Sequence, residues 1–448
     1  MATKKKSTTG TNRSSLASSS VDELLLAALE KGGDTLQTGR YLVTFKEGAG
    51  PNSIEAMGLE GMRVTDARDF KDQAVIMEDV GDADALVFPE IGVALVSGDA
   101  AQARGMSAMS EIAADSPYES IDPEYFVFPS NVTAEFLRGY AEKTETSPGD
   151  YLRGFLQAAE QIAKEFGYGS ESLVGPDEEA QVLGVTWGLK ACKVPPSLRS
   201  GNGIKVAVLD TGMDLGHPDF AGRPVVSATF VGQPVQDLYG HGTHCIGTAC
   251  GPKAPAGSTP RYGIGYRSSI HVGKVLSNSG SGTMAGVLAG MNWAIAKRCQ
   301  VISMSLGAQI PVQPAYTAAG QSALNNGCLI IAAAGNAAAA TGAPANSPTI
   351  MSVAALDPTL KPSSFSNFGK VQIAAPGRDV FSSWPRPTKY NTISGTSMAT
   401  PHVAGCAALW AETSPTLRGI NLWRKLQATA KHLPFPASKV GAGLVQAP

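Results

Sequence analysis

Two short apolar runs, each ended by a polar residue, most constrain the fold of this chain. Residues 204–209 are rich in β-branched side chains and stop at Asp210, and residues 329–334 stop at Gly335 and Asn336. Short apolar runs of this kind are typical of buried strands in a parallel sheet. Ligands bind at the carboxyl ends of such strands. The sequence therefore predicts an α/β fold with Asp210 and Asn336 at the ligand-binding edge of its sheet.

A third polar group lies in residues 394–405, where small residues lead into an apolar, helix-compatible stretch. At the start of a buried helix, free backbone N–H groups and the positive end of the macrodipole favour developing negative charge. Ser397 is therefore a candidate nucleophile, with Gly395 leaving space beside it and Pro401 in the first turn. Taken alone, this stretch could equally be a Ser/Thr cap before a core helix.

A histidine opens another helix-compatible stretch at residues 240–244, Gly-His-Gly-Thr-His. With it, four reactive or polar groups lie at the ends of four elements, namely Asp210, His241, Asn336 and Ser397. These segments resemble those of the subtilisin-like serine proteases, nearest to the proteinase K and bacterial subtilisin branch, in which Asp, His and Ser follow in the same order.

The resemblance runs from about Trp187 to Leu444 and includes further ordered motifs at 217–219, 274–276, 280–282, 303–307 and 364–367. It implies a doubly wound, mostly parallel sheet flanked by helices, with a subtilisin-like catalytic domain over residues 181–448. The G-x-S-x-G elbow of the α/β-hydrolases does not fit, because Ala399 stands where its second glycine should be.

Acyl transfer assigns a role to each group. It needs a hydroxyl beside a base, a group that holds the base in one tautomer, and donors aimed at the oxyanion. We assign Ser397 as nucleophile, His241 as general base and acid, and Asp210 as the carboxylate that orients the imidazole. Asn336 resembles the oxyanion-hole side chain of the family and would act with the backbone N–H of Ser397.

The cleft residues follow from their positions in the resemblance. Two substrate-aligning edges are expected, formed by Gly280, Ser281 and Gly282 on one side and by Ser305, Leu306 and Gly307 on the other. A peptide would bind between these edges as an added β-strand. Ala333 and Gly335 would wall the primary pocket, where small side chains leave room for an apolar residue before the scissile bond. The expected partner is therefore a protein or peptide substrate.

The N-terminal half divides into three segments. Residues 1–39 predict a disordered tail and one short helix over 21–31. Residues 40–130 alternate strands with a helix near 100–112 and predict a small α+β domain. In this position the domain resembles the family's inhibitory propeptide, which implies a zymogen inhibited by its own N-terminal domain; a generic interaction module is the alternative. Residues 131–180 predict a helical linker, which leaves the processing site open.

Length and charge restrict the number of domains and the kinds of partner that the chain can have. The chain has 448 residues and a formal net charge of −2, too long for one average domain and too nearly neutral to suggest nucleic acid as a partner. No run of about 18 apolar residues occurs, so no membrane span is expected. Residues 1–20 lack the apolar region of a signal peptide, which favours a cytoplasmic protein, with non-classical secretion as the alternative.

Calcium is the point at which the resemblance is weakest. Residues 251–260, which follow the histidine helix, offer almost no side-chain oxygens, and Gln372 stands where the proteinase K type of site has a carboxylate. We therefore expect no metal or other cofactor, with calcium dependence weak or absent. The six cysteines have no CxxC or zinc spacing, and mostly reduced thiols are expected.

The sequence thus predicts a serine endopeptidase made as an autoinhibited zymogen. Two alternatives remain open. One is a cytoplasmic processing or defence protease of narrow specificity that acts on a dedicated partner. The other is a regulatory protein that has kept the fold without catalysis, against which the complete set of catalytic groups argues.

Overall fold

The computed structural model of this chain consists of an N-terminal part and a C-terminal part that pack on each other. It describes residues 16, 20–31, 36–46, 55, 61–106, 112, 116–129 and 184–448. The predicted linker helices between 131 and 180 and most of the predicted N-terminal tail lie outside the described residues.

The N-terminal part is a mostly antiparallel sheet preceded by a helix. Its elements are α1 (Val21–Lys31), β1 (Gln37–Phe45), β2 (Val64–Asp66), β3 (Ala85–Phe88), β4 (Val93–Val96), α2 (Gly98–Ala103) and β5 (Tyr118–Val127), with short 3₁₀ turns at Ala67–Asp69, Lys71–Gln73 and Met77–Val80. The strand order is β2-β3-β4-β1-β5, in which β2 and β3 run parallel and the other neighbours antiparallel.

Helix α2 is shorter than the sequence predicts. Instead of continuing towards residue 112, it ends at Ala103, and Arg104 is its C-cap. Gly105 follows with a φ of +64°, the left-handed conformation that ends many helices and that glycine adopts without steric cost. The prediction of one continuous helix from residue 100 was therefore wrong at residues 104–106, and residues 107–111 lie outside the described part of the chain.

The C-terminal part contains the remaining elements. They are α3 (Trp187–Ala191), β6 (Lys205–Asp210), a 3₁₀ turn (Pro218–Phe220), β7 (Val225–Thr229), α4 (His241–Cys250), β8 (Ser269–Lys274), β9 (Gly282–Thr283), α5 (Met284–Ala296), β10 (Val301–Met304), α6 (Pro314–Asn325), β11 (Leu329–Ala333), β12 (Met351–Leu356), β13 (Ile373–Pro376), β14 (Val380–Ser383), β15 (Tyr390–Ile393), α7 (Thr396–Thr413), α8 (Gly419–Thr429) and α9 (Ala437–Val440).

Seven of these strands form a parallel sheet in the order β13-β12-β11-β10-β6-β8-β7. On one side of β6 lie β8 and then β7, and on the other side lie β10, β11, β12 and β13. The predicted doubly wound α/β fold is therefore confirmed. The strand order reverses between β6 and β10, and a crevice opens at the carboxyl ends of the strands at such a point.

Alternate residues of β6 enter two hydrophobic cores. Val206 and Val208 pack with α4 and α7, whereas Ala207 and Leu209 pack with α5 and α6. All four are at most 1% exposed. Because helices cover both faces of the sheet, the strand is apolar along almost its whole length. None of the described helices has the length and apolar character needed to cross a bilayer.

The two parts share a core. Leu42, Leu86 and Leu95 of the N-terminal sheet belong to the same buried cluster as Trp293 of α5 and Tyr316 of α6. The sheet also continues across the contact, because the end of β5 pairs antiparallel with β9. The N-terminal part is therefore docked on the C-terminal part both through side chains and through backbone hydrogen bonds.

Candidate active site

Asp210 and His241 meet at the carboxyl end of β6. Asp210 is the last residue of that strand and His241 is the first residue of α4, and the distance from Oδ1 to Nδ1 is 2.8 Å. Both side chains are buried, at 1% and 7% exposure. With a proton on Nδ1 held by the carboxylate, Nε2 is the basic nitrogen of the ring.

The charge of Asp210 governs the protonation of this histidine. Burial alone would lower the pKa of His241, but the Asp210 carboxylate raises it well above its usual range. Cys245 lies one turn along α4, with Sγ 3.9 Å from Nδ1, and its own pKa is raised by burial. The thiol therefore stays protonated at neutral pH, and Asp210 is the group that stabilises the imidazolium.

Asp237 organises the segment before His241, and the sequence analysis missed it. Its carboxylate, which is fully buried, accepts hydrogen bonds from the backbone N–H groups of Gly240 (2.8 Å) and Thr243 (2.9 Å). It also accepts from the hydroxyls of Thr211 (3.0 Å) and Thr243 (2.7 Å). This carboxylate caps the start of α4 and ties it to the end of β6. Its position just before a helix-compatible stretch was the available signal.

Steric contact explains why the residue after His241 is a glycine. The N–H of Gly242 donates to the Thr211 hydroxyl at 2.8 Å. A Cβ at this position would collide with the backbone carbonyl oxygen of Gly212. Only glycine therefore lets the first turn of α4 approach the loop after β6 closely enough for His241 to reach Asp210.

Ser397 lies in the first turn of α7 and is 3% exposed. Its Oγ is 3.0 Å from the carbonyl oxygen of Pro129 and 3.1 Å from that of Ser305. Its own carbonyl oxygen accepts from the Ser305 hydroxyl at 2.7 Å and from the Cys245 thiol at 3.6 Å. A serine has one proton to donate, and among the hydrogen bonds of the described residues none joins Ser397 Oγ to His241 Nε2.

Asn336 follows β11 and lies against the start of α7. Its Oδ1 accepts from the backbone N–H and the hydroxyl of Thr396, both at 2.8 Å. Because a backbone N–H can only donate, these bonds fix which end of the amide is oxygen. The Nδ2 donors of Asn336 are then free to serve the adjoining pocket. That pocket is lined by Pro129, Leu306, Gly307, Ala333, Ala334, Gly335, Asn336, Gly342, Ala343, Thr396 and Ser397.

A strand of the N-terminal part lies in the cleft. Phe128 and Gly307 exchange two backbone hydrogen bonds, at 3.0 and 2.9 Å. On the other side Val127 pairs with Gly282 and Phe126 pairs with Thr283. Of the predicted edge residues, Gly282 and Gly307 therefore hold this strand. Thr283 also takes part, although the sequence analysis did not include it.

The other predicted cleft residues do not pair with the strand of residues 126–128. Gly280 and Ser281 form the turn before β9, where the Gly280 N–H donates to Ser277 O and the Ser281 carbonyl accepts from Ser277 N–H. Ser305 contacts Ser397, as described above. Leu306, Ala333 and Gly335 line the pocket beside Ser397.

Two further histidines near the site have structural contacts. His244 Nε2 lies 2.9 Å from Val380 O, and burial lowers the pKa of His244 to about 3. His402 Nδ1 lies 2.9 Å from Met398 O, and burial lowers the pKa of His402 to about 4. Both rings are therefore neutral at ordinary pH and hydrogen-bonded within the core. The six cysteines are all free thiols and all buried.

Asp219, whose carboxylate contacts residues 251–260, is not arranged to bind calcium. Asp219 Oδ2 accepts from the hydroxyls of Tyr262 (2.5 Å) and Tyr390 (3.1 Å), and Oδ1 accepts from the Ala256 N–H (3.3 Å). Calcium needs six to eight oxygen ligands, whereas here O–H and N–H donors already engage the carboxylate.

The surroundings of Gln372 are also not arranged to bind calcium. Lys370 Nζ donates to the carbonyl oxygens of Ala345 (2.6 Å) and Ile350. Gln372 Oε1 accepts from the N–H and the hydroxyl of Ser352, at 2.8 and 2.6 Å. The Lys370 side chain thus occupies these two carbonyl oxygens, and burial lowers the pKa of Lys370 to about 7. The absence of a metal cofactor stays a prediction.

Comparisons with known proteins indicate the family of this chain. Residues 201–443 match the sequence model of the subtilase family. Over 270 residues the chain is 38% identical to subtilisin Savinase of Lederbergia lenta, which covers 59% of this chain and 97% of that protein. It is 42% identical over 218 residues to thermitase of Thermoactinomyces vulgaris, covering 48% of this chain and 77% of thermitase. A solved structure of a cold adapted subtilisin-like serine proteinase has a TM-score of 0.51 and 34% identity, covering 59% of this chain and 97% of that one.

Cleavage of a peptide by acyl transfer requires a nucleophile, a base and a cleft that holds the peptide. This chain has a serine at a helix N-terminus, a buried Asp–His pair and a cleft that binds an extended strand. The family match spans more than half of the 448 residues, so the chain belongs to the subtilase family. It is a subtilisin-like serine endopeptidase, and its substrates are proteins or peptides.

Proposed function

We propose that the enzyme hydrolyses peptide bonds through Ser397, His241 and Asp210 with an acyl-enzyme intermediate. Ser397 Oγ attacks the carbonyl carbon, and His241 Nε2 takes the hydroxyl proton and gives it to the leaving amine. Water then attacks the ester, with His241 again acting as base. Asp210 holds the Nδ1 proton and stabilises the imidazolium.

One observation carries this proposal. The carbonyl oxygen of Pro129 lies 3.0 Å from Ser397 Oγ, and the residues before it pair with both edges of the cleft. A peptide carbonyl is thus presented to the proposed nucleophile by backbone hydrogen bonds that do not depend on side chains. This arrangement is that of a substrate or of a substrate-like inhibitor.

Asn336 is proposed to stabilise the oxyanion together with the backbone N–H of Ser397. Its amide oxygen is held by Thr396, which leaves the Nδ2 donors for charge that develops on the carbonyl oxygen. Donors fixed in this way stabilise the transition state more than the ground state.

Asn336→Asp tests the oxyanion role. Aspartate keeps both acceptor contacts with Thr396 but has no N–H to donate, so kcat should fall while the fold is retained. Loss of the corresponding side chain in subtilisin, a reference case for this effect, lowers kcat by about 10²–10³, and we expect a loss at least that large. Steady-state kinetics beside Asn325→Asp, an exposed position at the end of α6, would show it; a kcat within about threefold of wild type contradicts the role.

The strand in the cleft also supports autoinhibition by the chain's own N-terminal domain, which we place at residues 40–130, ahead of a catalytic domain over 181–448. Residues 126–128 occupy the groups that a substrate strand would use. While they remain there, another peptide is excluded. We propose that the first cleavage is autolytic and falls at the bond after Pro129 or after Ser130, because the described chain reaches Ser397 at that point.

Intact mass measurement and N-terminal sequencing of purified wild-type protein test this proposal. A new N-terminus at Ser130 or Asn131, followed by hydrolysis of an unfolded protein substrate, is the expected result. A chain that remains whole and inert even after trimming by a second protease would overturn it and favour a regulatory protein that has kept the fold.

The pocket beside Ser397 favours apolar side chains before the scissile bond. The described residues that line it carry no charge, and Ala333 and Gly335 leave space on one wall. Sequencing of the peptides released from an unfolded protein would show this preference. The alternative of a narrow-specificity processing or defence protease would instead give cleavage at one restricted motif.

A buried carboxylate fixes the N-terminal domain on the enzyme. Glu124 of β5 is fully buried and accepts from Arg40 Nε (2.6 Å) and the Thr38 hydroxyl (2.6 Å). Its other oxygen accepts from the backbone N–H of Ala285 at 2.9 Å, in the first turn of α5. One side chain thus pairs an arginine of the inhibitor domain and caps a helix of the catalytic domain.

Glu124→Ala is expected to destabilise the intact chain. It leaves Arg40 buried without its carboxylate, and removing one member of a buried ion pair costs about 3–5 kcal/mol. Urea unfolding of the uncleaved Ser397→Ala protein should show a lower midpoint. Glu119→Ala, an exposed position on the same strand, is the matched control. Equal midpoints for the two variants would contradict the role of Glu124.

A further inference from the structure

A second contact between the N-terminal part and the cleft involves helix α1. Asp22 lies in its first turn, and its Oδ1 accepts from three serine hydroxyls of the catalytic domain. The distances are 3.0 Å from Ser277, 2.5 Å from Ser279 and 2.5 Å from Ser281. The three serines are 1%, 6% and 0% exposed. They alternate along the turn that leads into β9, the strand that pairs with β5.

The three serine hydroxyls form stronger hydrogen bonds to a carboxylate than they form to one another. The three hydroxyl oxygens lie 2.5 to 3.0 Å from one another, so without a ligand they would share their protons among themselves. Each hydroxyl has a single proton. When all three donate to one carboxylate oxygen, the bonds become charge-assisted and roughly twice as strong as neutral ones. The site therefore recognises a negatively charged oxygen.

Apolar contacts place the same helix over the strand in the cleft. Leu25 of α1 forms a buried cluster with Phe126 and Phe128. Val127, between them, belongs instead to the core shared with the catalytic domain. Because side chains alternate along a strand, the two phenylalanines point away from the enzyme, and α1 covers them on that side.

The start of α1 is fixed by local hydrogen bonds. The Ser20 N–H donates to Glu23 Oε2 at 3.1 Å, and the Glu23 N–H donates to the Ser20 hydroxyl at 3.3 Å. This reciprocal pair is a capping box. It defines the first turn and so sets the position of Asp22 opposite the serines.

We propose that Ser277, Ser279 and Ser281 form a carboxylate-binding site at the edge of the cleft, and that Asp22 is its ligand. Through this site α1 acts as a clasp that retains the N-terminal domain after the chain has been cut. Cleavage after residue 129 or 130 leaves α1 joined to the inhibitory strand, so the strand stays covered on its outer side. The inference rests on the proposed autoinhibition and adds a determinant of how fast it is relieved.

The test measures release of the N-terminal fragment from self-cleaved protein that is immobilised through its C-terminus. Asp22→Asn removes the charge at nearly constant shape and should speed dissociation about 10- to 100-fold. Glu23→Gln is the matched control, because it removes a charge one residue away while glutamine keeps the capping box. Its release rate should stay within about twofold of wild type.

Ser279→Ala approaches the same contact from the catalytic domain. It should speed release as well, and adding it to Asp22→Asn should give less than the product of the two effects, because both changes remove one interaction. Wild-type protein that never cleaves itself would overturn the proposed autolytic step, and one that also stays inert after trimming by a second protease would overturn the proposed function. With wild type cleaved, a wild-type release rate in Asp22→Asn, or independent effects in the double variant, would overturn the clasp alone.

Discussion

Purified Ser397→Ala protein is expected to remain a single intact chain and to lack measurable activity on an unfolded protein substrate. Among the described contacts, Ser397 Oγ is the only hydroxyl oxygen that lies 3.0 Å from the Pro129 carbonyl oxygen, and the change removes it. In subtilisin, a reference enzyme for such measurements, loss of the nucleophile lowers kcat by about 2 × 10⁶, and we expect a loss of that order. Because the same group would perform the first cleavage, processing and turnover should be lost together.

Intact mass and steady-state kinetics would show both effects. Ser414→Ala, at the other end of α7, is the matched control and should be processed normally. Addition of a trace of active wild-type enzyme should trim the Ser397→Ala chain, because its cleavage region is intact, without restoring its activity. Self-cleavage of Ser397→Ala in the absence of wild type would show that another group is the nucleophile.

Asp210→Asn should lower kcat and also change how activity depends on pH. The corresponding substitution in trypsin costs about 10⁴ in kcat, since an amide does not hold the imidazole in the required tautomer. His241 must be neutral to act as a base, and the Asp210 carboxylate raises the pKa of His241 against the effect of burial. Wild-type activity should therefore rise with pH through a midpoint above 6.5, the ordinary histidine value, and the midpoint of the variant should be lower.

The pH dependence of kcat/KM would measure both midpoints, with each enzyme trimmed by immobilised wild type that is removed before the assay. Cys245→Ala separates the two neighbours of His241. Because burial keeps that thiol protonated, its removal should move the midpoint much less than Asp210→Asn does. An Asp210→Asn midpoint equal to that of wild type, or above it, would contradict the assignment of Asp210.

The sequence was sufficient to predict the central sheet and the contact between Asp210 and His241 at its edge. The run before Asp210 is apolar because helices cover both faces of β6. His241 begins one helix that packs against that sheet, and Ser397 lies in the first turn of another. Short-range patterns of this kind depend on each segment alone. Where the ends of such segments meet follows from the rule for parallel strands.

Contacts between distant residues could not be predicted in this way. Asp22 and Ser281 are 259 positions apart, and Glu124 and Ala285 are 161 apart. Nothing in the local pattern of either partner marks the other, because each contact exists only after the two parts have docked. Asp237 is an intermediate case. It lies only four residues before His241, but its role depends on contacts with both the start of α4 and Thr211 after β6.

The pairing of β5 with β9 also bears on the solubility of the folding chain. An unpaired strand edge presents a row of N–H and C=O groups to which any extended segment can add, and natural proteins cover or shorten such edges because they promote aggregation. A peptide-binding cleft must keep its edge available. In this chain the edge residues Gly282, Thr283 and Gly307 are already paired by residues 126–128, so a newly made molecule offers no open edge here to its neighbours.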